Sequence, residues 1–147
     1  MSIKSLNNTE EKNFILDAGA LIEAFPEPEN MKITLNDSKY LYIHHRDMRE
    51  NANMCFIEIS KESNYIELRD IAIREDKRGQ GFGKKVITEL IRQCRDNKLN
   101  LFSDLCNQSS IAVIRSSVKE LEIDDKYEEY DLEEDGEFRF LIRFETA

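Results

Sequence analysis

Apolar residues recur every three to four positions in three segments of the chain, which predicts three amphipathic helices. The first begins near Thr9 and ends before Pro26 and Pro28, because proline interrupts the helical hydrogen-bond ladder. The second has its apolar stripe within residues 86–97, and the third has its stripe within residues 111–121. Each helix would bury one apolar face against the rest of the domain.

Between the first and second helices the pattern becomes typical of strands. Segments 40–44, 54–60 and 65–73 are strand-like, and short polar turns separate them. This arrangement predicts an antiparallel meander of three strands. The short apolar pattern around Ile33 and Leu35 is compatible with either a strand or a loop.

A further strand is predicted at residues 99–105, directly after the second helix. Because a strand, a helix and a second strand form a crossover unit, this strand should lie parallel to the last strand of the meander. The end of the chain predicts a hairpin, in which segments 127–132 and 138–144 flank an Asp-Gly turn at 135–136. Residues 2–6 could form a short first strand.

Together these elements predict one domain over residues 1–147. Its expected class is α/β (α+β), with a mixed, mostly antiparallel central sheet, a βαβ crossover and flanking helices.

The distribution of charge restricts the kind of partner. A net charge of −9 at pH 7 argues against a general nucleic-acid binder, whose affinity depends on neutralising phosphates. The same charge favours a cationic partner or substrate. Residues 120–137 hold eleven acidic side chains, whereas residues 77–85 hold four basic side chains and no acid.

Cysteine, histidine and hydropathy patterns bear on compartment and metal binding. Cys55, Cys94 and Cys106 form no Cys-x-x-Cys pair and suggest buried thiols in a reducing compartment. His44 and His45 are neighbours on a predicted strand and would point to opposite faces, so no metal site is expected. No apolar run is long enough for a membrane span, and the first residues lack a signal-peptide core. A cytoplasmic protein without membrane contact is therefore expected.

The segment RGQGFGKK at residues 78–85 places glycines on alternate positions among basic side chains, between a predicted strand and a predicted helix. Glycine permits positive φ and a close approach of backbone amides to a ligand, and a helix N-terminus carries partial positive charge. Together these features predict an anion site suited to pyrophosphate. The spacing matches neither the P-loop nor the G-x-G-x-x-G dinucleotide motif, so both alternatives are disfavoured.

The spacing Arg-x-x-Gly-x-Gly at Arg78, Gly81 and Gly83 resembles the acyl-coenzyme A (acyl-CoA) signature of the GCN5-related N-acetyltransferase (GNAT) family. Segment 66–91 is similar to that family's central strand, pyrophosphate loop and following helix. The order of elements agrees across nearly the whole chain. The resemblance implies a GNAT-like fold with acetyl-CoA as co-substrate and no metal. The alternative is a glycine turn that binds no ligand.

The resemblance also implies a set of binding residues. A bulged central strand would pair its backbone at residues 71–73 with the pantetheine arm, and the Ile71 N–H would polarise the thioester carbonyl as an oxyanion hole. Asn107 would contact pantetheine, cap the following helix, or do both. The amides from Arg78 to Lys84 would wrap the pyrophosphate. The implied acetyl-CoA-binding residues are Ile71, Ala72, Ile73, Arg78, Gly79, Gln80, Gly81, Phe82, Gly83, Lys84 and Asn107.

An amine acceptor and a general base are implied by the same resemblance. A lysine amine has a pKa near 10.4, so it is mostly protonated near pH 7 and a base assists its attack. Glu67 matches the position of a glutamate base in some protein-acetylating members; the alternative is a solvent-facing strand residue. Asp70 is a weaker candidate. The implied catalytic residues are therefore Glu67 and Ile71.

One position departs from the family pattern. Members often place a tyrosine on the helix after the second core strand, as general acid to the leaving thiolate. This sequence has Ile114 there, or Ser116 in a shifted register. Tyr127 and Tyr130 on the predicted hairpin are the remaining candidates. The Gly-Phe pair that usually follows this helix is also missing.

These implications describe an acyl-CoA-dependent N-acyltransferase that acetylates a cationic amine: a protein lysine or N-terminus, a polyamine or an aminoglycoside. The acidic residues at 120–137 fall in segments that usually form the acceptor side in this family. The alternative is a catalytically degenerate acyl-CoA-binding domain that acts as an acidic interaction or regulatory module, which the missing tyrosine would favour. A subunit of a larger acetyltransferase assembly is a third alternative. No direct contact with nucleic acid is expected.

Overall fold

The computed structural model describes residues 16–37, 39–49, 54–132 and 136–144. This part of the chain contains three α-helices: α1 (Ala18–Glu23), α2 (Phe82–Asp96) and α3 (Gln108–Glu120). It also contains seven strands: β1 (Met31–Asn36), β2 (Tyr40–His45), β3 (Phe56–Lys61), β4 (Tyr65–Ala72), β5 (Asn100–Cys106), β6 (Tyr127–Asp131) and β7 (Phe138–Ile142). Short 3₁₀ turns lie at Pro28–Asn30, Glu75–Lys77 and Asp124–Lys126.

The strands form one sheet in the order β1-β2-β3-β4-β5-β7-β6. Neighbouring strands are antiparallel except β4 and β5, which run parallel. Because α2 connects those two strands, the β4-α2-β5 unit is the predicted crossover. The predicted fold class, a mixed and mostly antiparallel sheet with flanking helices, is therefore confirmed.

Side chains alternate between a buried face and a half-exposed face of the sheet. On the buried face, Ile43 pairs with Ile57, and Ile59 pairs with Leu68. The apolar stripes of the helices join these residues in one hydrophobic core. Each such aliphatic side chain contributes about 1.5–3 kcal/mol when it is fully buried. The opposite face, called the open face below, carries half-exposed side chains such as Tyr42.

The segment around Ile33 and Leu35 is a strand rather than a loop. It pairs with β2 without interruption from Met31 to Asn36. Ile33 is buried in the core, and Leu35 packs against it. The pairing partner, which the two apolar positions alone do not reveal, decides between the alternatives.

The helix α1 covers the last part of the first predicted helix. Asp17 caps α1 by accepting a hydrogen bond from the N–H of Ala20 at 3.1 Å, so the helix begins at Ala18. It ends at Glu23, before the prolines that were expected to stop it. The predicted turns from Thr9 to residue 15 lie outside the described residues, as does the predicted strand at 2–6.

The strand β4 changes its relation to both neighbours after Glu67. Against β3, the register shifts between Glu58 and Ile59, so Arg69 is an extra residue and β4 bulges there, as expected. Against β5, the described pairing ends at Glu67 and Phe102. The two parallel strands therefore diverge beyond that point, and the centre of the sheet opens.

The cysteines and histidines occupy structural positions. All three cysteines are buried and form no disulfide, and burial raises the pKa of Cys94 to about 12. His45 is buried and its Nδ1 accepts the N–H of Asp47, whereas His44 stacks on Tyr42 at the open face. Within the described ranges, no group of His, Cys, Asp and Glu is arranged to hold a metal ion. No described helix has the length and apolarity that crossing a membrane requires.

Candidate active site

A cavity of about 720 Å³ lies where β4 and β5 diverge. Its apolar wall includes Leu68 from β4, Ile87 from α2 and Ile114 from α3. Its polar end lies at the start of α2. Ten of the eleven predicted acetyl-CoA-binding residues line it, Gln80 being the exception: Ile71, Ala72, Ile73, Arg78, Gly79, Gly81, Phe82, Gly83, Lys84 and Asn107.

Two glycines at the polar end have backbone conformations that L side chains rarely adopt. The φ angle is +79° at Gly79 and +86° at Gly81. A Cβ at either position would meet no described atom within 4 Å, so the space beside them is open. The backbone therefore requires glycine there because of φ, and not because the chain itself crowds these positions.

The first turn of α2 lines this end of the cavity. Gly81 is the N-cap, and no described side chain caps the helix, so its first amides have no side-chain acceptor. The first turn contains no acidic residue. Lys77, Arg78 and Lys84 line the cavity beside it. Amide donors, the helix dipole and three cationic side chains together can bind a polyanion.

Arg74 braces the loop that leads into α2. Its guanidinium binds both carboxylate oxygens of Asp76, at 3.1 and 3.0 Å, and one oxygen of Glu27 at 3.1 Å. Only 15% of the Arg74 side chain is exposed, whereas its partners Glu27 and Asp76 are 38% and 58% exposed, so the guanidinium is largely buried and the carboxylates face solvent. Gln80 donates to the backbone carbonyl of Asp76 at 3.3 Å and thereby supports the same loop. The sequence analysis did not select Arg74. The feature that could have indicated it is its position directly between the predicted strand and the loop.

The edge of β4 that faces the cavity uses side chains as hydrogen-bond partners. The N–H of Ile71, the expected oxyanion donor, donates to Oδ1 of Asp70 at 2.8 Å. The carbonyl of Ile73 accepts from Nε of Arg78 at 3.0 Å. These side chains satisfy backbone groups in the region where β5 has diverged. The Ile71 N–H is thus at the cavity but already engaged.

Asn107 occupies the start of α3. Its Oδ1 accepts the N–H of Ser110 at 2.8 Å, so the predicted helix-cap role is confirmed. Asn107 also lines the cavity, and its contact with pantetheine stays a prediction. Ser109, Ser110 and Val113 line the cavity from the same helix. Sequence reasoning did not select them, although the two hydroxyls follow closely after Asn107.

Glu67 lies on the open face, opposite to its cavity-lining neighbour Leu68, because strand side chains alternate. Its carboxylate accepts a hydrogen bond from Oγ of Ser60 at 3.3 Å and pairs with Arg69 at 3.4 Å. The Glu67 side chain is 23% exposed. A group that contacts Glu67 would therefore approach the divergence of β4 and β5 from the face opposite to the cavity.

Asp70 ends a row of polar side chains across the open face. Thr34, Tyr42, Glu58 and Asp70 are successive cross-strand partners from β1 to β4. Burial, together with the charges of Glu58 and Asp70, raises the pKa of Tyr42. Tyr42 therefore keeps its proton at neutral pH and can donate a hydrogen bond. The sequence pattern gave no signal that Tyr42 belongs to this region.

The tyrosines that were considered as general acids lie away from the cavity. Ile114 occupies the expected position on α3 and lines the cavity. Ser116 and Tyr127 line a separate concavity of about 440 Å³. The Tyr127 hydroxyl donates to Glu129 at 2.6 Å, and burial and this bond raise the pKa of Tyr127. Tyr130 is 51% exposed and does not line the cavity.

Several acids of the 120–137 run are engaged in ion pairs. Glu129 pairs with Arg115, and Glu128 pairs with Arg143. Glu120 pairs with Lys84 at 2.9 Å, so this acid lies at the basic end of the cavity. The described acids of the run are therefore divided between ion pairs and exposed positions, and their place on the acceptor side stays a prediction.

Comparisons with known proteins give a family match. A model of the acetyltransferase (GNAT) family matches residues 23–118. No curated protein matches the chain in sequence.

Fourteen chains of solved structures also match. A protein assigned to the GNAT family from Desulfovibrio desulfuricans is 14% identical, with 76% of this chain and 73% of that chain covered and a TM-score of 0.44. The ribosomal-protein-S18-alanine N-acetyltransferase from Escherichia coli is 15% identical, with 97% and 93% covered and a TM-score of 0.46. A nourseothricin acetyltransferase is 14% identical, with 80% and 66% covered and a TM-score of 0.42. These likenesses are distant, and the family assignment rests on the match over residues 23–118.

Proposed function

This chain belongs to the acetyltransferase (GNAT) family, and from that premise we propose that it transfers an acetyl group from acetyl-CoA to the amine of a cationic acceptor. The observation that supports the proposal best is the cavity between β4 and β5. One end has uncapped helix amides and cationic side chains, and the other end has apolar walls and the inner edge of β4.

The residues at the cavity fit the chemical character of acetyl-CoA. The amides from Gly79 to Lys84, with Arg78 and Lys84, would hold the pyrophosphate, and positive φ at the glycines leaves room for it. The backbone of residues 71–73 would pair with the amide groups of the pantetheine arm. Acetyl-CoA supplies an activated acetyl group as a thioester, and the Ile71 N–H would donate a hydrogen bond to its carbonyl oxygen.

Glu67 is the proposed general base. A protonated amine must lose a proton before it can attack, and a carboxylate at the divergence of β4 and β5 can accept that proton directly or through water. Ser60 and Arg69 hold the Glu67 carboxylate by hydrogen bonds. Because Glu67 lies on the open face, the amine would arrive from the side opposite to the co-substrate.

A cationic acceptor is supported by the charge of the open face. Glu58, Glu67 and Asp70 lie there on neighbouring strands, and the whole chain carries a net charge of −9. Such a surface attracts protein lysines, N-termini, polyamines and aminoglycosides alike. The buried, unpaired cysteines fit a reducing compartment, and we propose a cytoplasmic location.

Binding and turnover test the proposal separately. Calorimetry should give micromolar binding of acetyl-CoA and at least about 100-fold weaker binding of S-acetylpantetheine, which lacks the pyrophosphate and the 3′-phosphoadenosine. Thiol release from acetyl-CoA should then depend on a polyamine or a lysine-rich peptide. Glu67→Gln should lower kcat about 100-fold and leave the Kd of acetyl-CoA unchanged. Equal affinity for the two thioesters would exclude the anion site, and unchanged turnover in Glu67→Gln would exclude that residue as the base.

A second candidate function is an acyl-CoA-binding interaction module without catalysis. The observation that favours it is the absence of tyrosine among the described residues that line the cavity, where Ile114 occupies the α3 position. A module of this kind would bind acetyl-CoA with the same affinity but release no thiol with any amine tested. The turnover assay therefore distinguishes the two functions.

A further inference from the structure

The most informative contact outside the expected machinery is the one between Asp70 and Ile71. The Ile71 N–H donates to Oδ1 of Asp70 at 2.8 Å. This N–H is the group that, under the proposed function, would bind the acyl carbonyl. A single N–H cannot donate a full-strength hydrogen bond to a carboxylate and to a thioester carbonyl at once, so the two acceptors compete.

The geometry of β4 explains why Asp70 can reach this donor. The bulge at Arg69 shifts the register, so Asp70 pairs with Glu58 and Ile71 pairs with Ile57. The described pairing of β4 with β5 has ended before this point. A side-chain carboxylate therefore takes the place that a backbone carbonyl would have in a continuous sheet.

Apart from its hydrogen bond with the Ile71 N–H, the Asp70 carboxylate has few contacts that hold it in place. Among the described residues it has no ion pair, whereas its neighbour Arg69 pairs with Glu67. Asp70 is exposed on the open face and does not line the cavity, whereas Ile71 does. Across β3 its nearest cross-strand partner is Glu58, which carries the same charge. The carboxylate can therefore turn away from Ile71 without breaking another hydrogen bond within the described part of the chain.

We propose that Asp70 is a positioning residue that competes with the acyl carbonyl of acetyl-CoA for the Ile71 N–H. This inference rests on the proposed function. Binding of the acyl group turns the carboxylate out onto the open face, beside Glu58, where a cationic amine would neutralise it. A CoA derivative without the thioester carbonyl leaves the Asp70–Ile71 hydrogen bond intact. The acyl carbonyl of the ligand, rather than its nucleotide, therefore causes the Asp70 carboxylate to move onto the open face.

The test compares acetyl-CoA with S-ethyl-CoA. The two ligands have nearly equal size, but only acetyl-CoA has a thioester carbonyl. Calorimetry would give both dissociation constants for the wild type, Asp70→Ala and Asp70→Asn. We expect Asp70→Ala to lower the dissociation constant of acetyl-CoA about three- to tenfold, because the thioester carbonyl needs the released Ile71 N–H. The dissociation constant of S-ethyl-CoA should change less than about twofold. Asp70→Asn should be intermediate, since a neutral amide oxygen still accepts the N–H but less strongly than a carboxylate.

Glu58→Gln removes the charge of the cross-strand partner beside which the Asp70 carboxylate would turn. It should tighten acetyl-CoA binding by less than Asp70→Ala does and leave the affinity for S-ethyl-CoA unchanged, because only the acetyl-CoA complex places the two carboxylates together. Equal shifts of both ligands in Asp70→Ala, or no shift, would overturn the inference while leaving the proposed function in place. If the wild type binds neither ligand, the proposed function and this inference both fail. Asp70→Asn, which keeps the hydrogen bond, provides the answer if Asp70→Ala does not fold.

Discussion

The N-termini of α2 and α3 line the same cavity but satisfy their amides in different ways. At α3, Asn107 has an extended backbone, and its side chain accepts the N–H of Ser110 at 2.8 Å. At α2, Gly81 has a left-handed backbone with φ +86°, and no described side chain caps the first turn. The chain itself completes one helix end, and an external anion is suited to complete the other.

The difference also separates stability from binding. A side-chain cap such as Asn107 contributes about 1 kcal/mol to the folded state whether or not a ligand is present. The glycines before α2 contribute no such bond, and they increase the entropy of the unfolded chain. Substitutions at the start of α2 should therefore change the affinity for acetyl-CoA, whereas substitutions at the start of α3 should change the free energy of unfolding.

Gly81→Asp would give α2 an acidic end and should have the largest effect. Aspartate tolerates positive φ better than most residues, and a carboxylate is favourable at a helix N-terminus, so we expect the protein to fold. The same carboxylate would repel pyrophosphate and weaken acetyl-CoA at least about 100-fold, or about 2.7 kcal/mol, in calorimetry. Gly81→Asn is the neutral control. Equal losses in the two variants would show that backbone conformation, not charge, controls binding.

Arg74→Ala should have the next largest effect, because it removes the brace of the loop without removing a cavity-lining residue. With the bonds to Asp76 and Glu27 lost, the loop that leads into α2 would have to be ordered on binding, and the affinity for acetyl-CoA should fall about tenfold. Arg74→Lys should not restore it, because lysine lacks the bidentate geometry. Arg92→Ala, which removes an exposed pair with Glu89 on α2, should leave the affinity unchanged; a similar loss there would indicate a general charge effect.

Asn107→Ala should have the smallest effect of the three substitutions, and it should change the stability of the fold. Loss of the α3 cap should lower the free energy of unfolding by about 1 kcal/mol in a urea titration, and Asn107→Ser should recover most of it. If Asn107 also contacts pantetheine, both variants should weaken acetyl-CoA, because serine is too short to keep that contact. Full affinity in both variants would restrict Asn107 to its cap.

The sequence predicted the fold well because its elements are strongly patterned. Alternation in β2 and β7 and the stripes of α2 and α3 each specify an element and its buried face. Prediction was incomplete where one specific contact decides the element. The sequence left Ile33 and Leu35 open between strand and loop, and pairing with β2 makes them a strand; α1 begins at Ala18 because Asp17 caps it.

The site was predictable where backbone conformation requires particular residues, and less so elsewhere. Positive φ at Gly79 and Gly81 follows from glycine itself, and the basic residues beside them show in the sequence. The engagement of Ile71 by Asp70 depends on the bulge at Arg69 and on the end of the β4–β5 pairing, which are properties of strand register. The brace at Arg74 joins segments far apart in the chain, so no local pattern reveals it.

The divergence of β4 and β5 has a consequence for the life of the protein in a cell. It creates a sheet edge in the middle of the sheet, where side chains rather than a neighbouring strand bind the Ile71 N–H and the Ile73 carbonyl. A strand from another chain can replace those side chains and start aggregation. A co-substrate that pairs with residues 71–73 would protect this edge and would stabilise the native chain by mass action. Under the proposed function, the soluble lifetime of the protein should follow the cellular supply of CoA thioesters, so that its abundance as well as its turnover would respond to metabolic state.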